Sequence, residues 1–141
     1  MLGKIVKVIV DRPMGSYHPE HKDMYYPINY GYVEGIIAPD GEEQDAYILG
    51  VDKPVKEFVG KIIAIVHRLD DIEDKWVVAP EIVSLTKEEI ITATEQRCHY
   101  SCVYIGTFVS DVYFFYCMVS LNAANWLRML AYFHKTPRHP A

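Results

Sequence analysis

The sequence predicts a mainly β protein, a small five-stranded barrel followed by a C-terminal helix and an apolar tail. Five short runs of β-branched and aromatic residues recur at intervals of about ten to fifteen residues. Polar turns, not helical patterns, separate them, which favours a barrel over alternating strand–helix units. The 141 residues, half of them hydrophobic and 23% charged, suffice for one domain with a real core.

Ile5, Val6, Val8, Ile9 and Val10 predict the first strand, which delivers Asp11-Arg12-Pro13 into a turn. Residues 14–29 have neither helical nor strand period. They carry Gly15, Pro19 and Pro27 with His18, His21, Lys22 and the tyrosines Tyr17, Tyr25 and Tyr26, a long polar and aromatic loop of the kind that carries function. Residues 30–37 predict a second strand, and 45–51 a third in which Asp45, Tyr47 and Leu49 share a face. The strongest strand signal is 59–67, with Ile62, Ile63, Ile65 and Val66. Residues 75–78 complete the set before Pro80. Ser84 or Thr86 followed by Glu88 and Glu89 marks a helix start, with carboxylates where the helix dipole favours them, and the helix is expected to end near Arg97.

The chain therefore divides into a barrel with its helix, 1–97, and an apolar tail, 98–141. The first part holds 11 Lys+Arg against 18 Asp+Glu, the tail 3 against 1, so the net charge of −5 belongs to the barrel. Without a basic stripe, that balance excludes nucleic acid as the main partner. In the tail, 112–121 is nearly all apolar and 125–134 reads as a short helix. Only 16 uncharged residues lie between Asp111 and Arg128, too few for a comfortable membrane span, so the tail is expected to be buried or to face another copy. Cys98, Cys102 and Cys117 are an odd set with no signal peptide ahead of them, which predicts free thiols and a cytoplasmic protein. Cys98-x3-Cys102 beside His99 resembles a soft-metal fragment only loosely.

The chemistry concentrates in Asp40-Gly41-Glu42-Glu43-Gln44-Asp45, four carboxylates in six residues. Two such charges about 6 Å apart repel by roughly 2–3 kcal/mol at an effective dielectric near 20. Either the stretch is a solvated acidic turn or a hard divalent cation compensates it. Oxygen-only ligands suit Mg²⁺, Ca²⁺ or Mn²⁺ over zinc, and Mg²⁺ commonly arrives with a phosphate group. A second acidic turn, Asp70-Asp71-Ile72-Glu73-Asp74, runs into Lys75, and Arg12 closes the first strand. Cations and carboxylates gathered at strand ends are what polyphosphate hydrolysis requires.

Taken in order, Val10-Asp11-Arg12, then Tyr26-Pro27-Ile28-Asn29-Tyr30-Gly31-Tyr32, the 40–45 turn, and Glu73-Asp74-Lys75 before Val77-Val78-Ala79-Pro80 resemble a family I soluble inorganic pyrophosphatase. The resemblance covers roughly residues 8–80, a little over half the chain. It implies an OB-like barrel, a homo-oligomer, and Mg²⁺-dependent hydrolysis of diphosphate, with Mn²⁺ as an alternative ion. By the same resemblance Arg12, Tyr26, Tyr30 and Lys75 bind the substrate. Asp40, Asp45, Glu73 and Asp70 or Asp71 hold metal. Glu42 stands where the family's D-G-D-P-x-D pattern has the aspartate that acts as base, and reaches one methylene further. Two family features have no counterpart, the Lys-x-Glu pair before the Asp-Arg strand and a late Tyr-Lys pair, for which only His134-Lys135 is offered. His18, His21, Lys22, His67 and Arg68 lie beside the matched residues and are candidates to replace those phosphate contacts. An alternative reading is non-catalytic binding of metal and a phosphorylated ligand.

Overall fold

The computed structural model describes residues 1–67, 73–95 and 104–107. The predicted second acidic turn up to Ile72, with Asp70 and Asp71, Arg68, the helix end near Arg97, the three cysteines and the tail segments 112–121 and 125–134 lie outside them. Five strands form in chain order: β1 (Ile5–Arg12), β2 (Asn29–Ile37), β3 (Glu43–Ile48), β4 (Glu57–His67) and β5 (Lys75–Ala79). The helix α1 (Lys87–Glu95) follows, and then a short strand, β6 (Tyr104–Thr107). The sheet runs β1-β2-β3-β5-β4, and β4 pairs back onto β1, so the five strands close into a barrel. All pairs are antiparallel except β3 with β5.

The strand β6 falls inside what the sequence marks only as an apolar tail. Residues 57–61 of β4 pair with β1, residues 61–66 pair with β5, and β6 pairs with 64–67. One edge of β4 is thus free beyond the start of β1, and β6 occupies it, covering backbone groups that would otherwise face solvent.

Alternation along the strands sorts the core into two sides. Val8, Val33, Ala46, Ile48, Ile62, Trp76 and Val78 form one cluster. Tyr47, Leu49, Ala64, Val66, Val77 and Ile90 form the other, with Ile90 supplied by α1. A strict two-residue period would keep Ile62 and Ala64 together. Instead β4 bulges: Ile62 pairs with Val78 and Ala64 with the preceding Val77, so one extra residue moves β4 from the first cluster to the second.

Gly31 in the Tyr-Gly-Tyr run is required where β1 crosses close, because a Cβ there would lie 1.9 Å from the Ile9 carbonyl oxygen. The helix starts at Thr86 and not Ser84. Thr86 Oγ1 accepts from the Glu89 N–H at 3.2 Å and Glu89 Oε2 accepts from the Thr86 N–H at 2.7 Å, a reciprocal capping box. Among the described residues no helix is long and apolar enough to cross a membrane.

Candidate functional site

The acidic stretch divides into two environments. Its first half is a turn joining β2 to β3: the Ala38 N–H donates to the Glu42 carbonyl at 2.8 Å, and Gly41 takes φ +93°. Asp40 Oδ1 accepts from the Glu42 N–H at 3.0 Å, closing an Asx turn. The side chains of Asp40 and Glu42 are in solvent.

The second half enters β3 and turns inward. Parallel pairing sets Ala46 beside Trp76, and the same register brings Asp45 beside Lys75, 30 residues later in the chain. Lys75 Nζ donates to Asp45 Oδ2 at 2.6 Å and to Glu73 Oε2. The Tyr30 hydroxyl, delivered by β2, donates to the same Asp45 oxygen. Glu73 and Lys75 are only 4% and 5% exposed. Burial alone would lower the Lys75 pKa, but its hydrogen bonds to the Asp45 and Glu73 carboxylates prevail and hold the ammonium above its ordinary value. Burial raises the Tyr30 phenol, with the Asp45 charge adding to it. Burial likewise pushes the Glu73 carboxyl up, against the opposing Asp45 N–H and Lys75.

Gln44, which residue-type reasoning passes over, ties the second half to the residues just before β5. Its side chain is 5% exposed. Its Nε2 donates to Glu73 Oε1 at 3.0 Å, to the Asp45 carbonyl at 3.2 Å and to the Asp74 carbonyl. All three partners accept only, which fixes the orientation of the amide. The one available signal was that a lone amide stands among four carboxylates.

Arg12 is the cross-strand partner of Tyr30, and Tyr30 of Tyr47, so the three share one face of the sheet. Arg12 Nη1 donates to the Asp11 carbonyl and carboxylate, each at 3.1 Å, and Arg12 Nε is buried with no acceptor among the described residues. Tyr26 lies buried behind Tyr30, ring centroids 6.0 Å apart, and the rings of Tyr30 and Tyr47 lie 5.2 Å apart. Of the predicted site residues, the fold brings together Arg12, Tyr26, Tyr30, Asp45, Glu73 and Lys75 as one contiguous set. Asp40 and Glu42 sit at the exposed end of the same hairpin.

The loop between β1 and β2 is closed by Asn29, whose Oδ1 accepts from Met14 N at 2.9 Å and Val55 N at 3.2 Å while its Nδ2 donates to the Lys53 carbonyl. Within the loop His18 Nδ1 accepts from the main-chain N–H groups of Glu20 and His21, which leaves the imidazole proton on Nε2. His21 and Lys22 are exposed. His67 Nδ1 pairs with Asp74 Oδ1 at 2.6 Å. An open groove of about 430 Å³ between Pro27-Ile28 and the α1 residues Glu88, Glu89, Thr92 and Ala93 contains none of the predicted site residues.

The carboxylates of this site suit a hard divalent cation in kind. Among the described residues, however, no three His, Cys, Asp or Glu side chains are gathered to hold a metal ion. Asp45 and Glu73 are instead joined through the Lys75 ammonium.

Solved structures that resemble this one include pyrophosphatases. An inorganic phosphatase from Anaplasma phagocytophilum superposes with a TM-score of 0.53 at 18% identity, over 73% of this chain and 82% of that one. An inorganic pyrophosphatase from Neisseria gonorrhoeae gives 0.51 at 21% identity, over 70% of this chain and 74% of that one. The chain shares the pyrophosphatase fold. No family model matches the sequence, and neither does any curated protein.

Proposed function

We propose that this chain hydrolyses inorganic diphosphate to two phosphates. The observation that carries the reading is the row Arg12–Tyr30–Asp45–Lys75, assembled from β1, β2, β3 and β5 on a barrel of the pyrophosphatase fold. Arg12 and Lys75 supply cations for phosphoryl oxygens, and the buried, unpartnered Arg12 Nε is a donor that an incoming oxyanion would satisfy. Tyr30 holds Asp45 in place with its hydroxyl proton. Glu42, whose carboxylate stands in solvent at the turn, accepts the proton of the attacking water.

Asp40 and Asp45, completed by Asp70 or Asp71, are the residues that would hold Mg²⁺ or Mn²⁺. When bound, such an ion neutralises phosphoryl charge and acidifies water. The same reading includes a cytoplasmic homo-oligomer.

A second reading is binding of metal and a phosphorylated ligand without turnover, favoured by the pairing of Asp45 with Lys75. Phosphate release from diphosphate, with and without Mg²⁺, in wild type and Asp45→Asn, separates the two. Metal-dependent turnover that collapses in Asp45→Asn is the expected result. A folded protein that binds Mg²⁺ and diphosphate without releasing phosphate establishes the second reading.

A further inference from the structure

Glu73 has the residue type of a metal ligand, yet every described feature of its setting commits it elsewhere. Its Oε1 accepts two hydrogen bonds from neutral donors, Gln44 Nε2 at 3.0 Å and the Asp45 N–H at 2.8 Å, and its Oε2 accepts from the Lys75 ammonium. Both of its oxygens are thus engaged by protein donors, whereas a metal ligand needs an oxygen directed at the ion. Glu73 is 4% exposed. Asp45, by contrast, has a side chain 29% exposed. One carboxylate on Lys75 is thus turned inward and one outward.

We propose that Glu73, held by Gln44, is the anchor that fixes the Lys75 ammonium at the phosphate-binding face, and is not itself a ligand of the divalent cation. The proposal rests on the reading of this site as a diphosphate site. Gln44 and Glu73 act as positioning residues: Gln44, together with the Asp45 N–H, holds one Glu73 oxygen so that the other points at Lys75, and Lys75 is presented beside Asp45 from a fixed base. A glutamate at 44 would place a fourth acceptor among the three oxygens that the amide now serves.

The test compares wild type, Glu73→Gln, Gln44→Met and the double variant, all checked for folding by circular dichroism. Gln44→Asn, which withdraws the same amide by one methylene, replaces Gln44→Met should that variant not fold. Three quantities are read: the Kd for Mg²⁺ alone by calorimetry, KM and kcat for diphosphate, and the NMR resonance of the Lys75 ammonium. Hydrogen bonds to charged groups of this kind correspond to a change of about tenfold or more. Each single variant is therefore expected to raise KM by about that factor and to shift the Lys75 resonance, while Mg²⁺ affinity stays within about threefold. Because Gln44 acts through Glu73, adding Gln44→Met to Glu73→Gln is expected to change KM by less than about twofold.

A loss of Mg²⁺ affinity of about tenfold in Glu73→Gln, or multiplicative effects in the double variant, overturns the proposal. If the wild type neither binds Mg²⁺ nor turns over diphosphate, the functional reading has failed on its own account. The anchor is then decided by NMR alone, and a Lys75 resonance unmoved by both single variants overturns it.

Discussion

The two halves of one acidic stretch show how environment, and not residue type, assigns roles to carboxylates. Asp40 and Glu42 occupy a solvated turn, where water screens their charges and Asp40 closes the turn on the Glu42 N–H. Asp45, three residues further on, enters the sheet and meets Tyr30 and Lys75, with the buried Glu73 opposite. A charge in the second setting must be paired, because desolvation costs several kcal/mol per ion. The exposed half is screened by water, and the inward half is held by ion pairs and hydrogen bonds.

Removing the shared cation breaks this contrast most directly. Lys75→Met leaves Glu73 and Asp45 facing each other without the cation between them, and a destabilisation of about 3–5 kcal/mol is expected, measured by urea denaturation. A loss below about 1 kcal/mol would mean that the buried half behaves like the exposed one.

Alkaline pH provides the next largest effect. The Tyr30 and Lys75 pKa values both lie above their ordinary values of 10.0 and 10.5 in the folded protein. Above pH 10 the folded chain therefore binds more protons than the unfolded one. The stabilisation is fully present below those ordinary values and is lost as pH rises through the elevated ones, at up to about 1.4 kcal/mol per pH unit for each proton. Denaturation midpoints should hold level from pH 8 to about pH 10 and fall as pH rises further, and Lys75→Met should flatten that fall.

Outside both halves, Thr86→Ala removes the hydroxyl half of the α1 capping box. It should cost about 1 kcal/mol while leaving the alkaline slope intact. The smallest stability effect belongs to the exposed half. Glu42→Gln is expected to shift stability by no more than about 0.5 kcal/mol, while phosphate release from diphosphate falls by at least about tenfold. Unchanged release would remove Glu42 from the role of base.

Much of the barrel was legible because strands announce themselves locally. The β-branched run of β4, the Asp40-Gly41 turn between β2 and β3, and the Thr86/Glu89 box at α1 each lie within a few residues, and these three are present. The expectation that Asp45, Tyr47 and Leu49 share a face also holds: Tyr47 and Leu49 pack in one cluster, and Tyr30, bound to Asp45, packs against it. The bulge between Ile62 and Ala64 was not legible, since an unbroken apolar run carries no mark of where its register slips. Nor was β6, whose place is set by the open edge of β4 and not by its own composition.

The sequence by itself determined the inventory: which segments form the five barrel strands, and where the carboxylates and cations stand along the chain. Tertiary structure alone decided the pairings. The parallel register of β3 on β5 brings Asp45 to Lys75 across 30 residues of chain, and burial at that seam turns Gln44 from an unremarked amide into the donor that holds Glu73. Local periodicity encodes the shape of a segment. Which segment it meets, and how much water is left between them, depends on closure of the whole barrel.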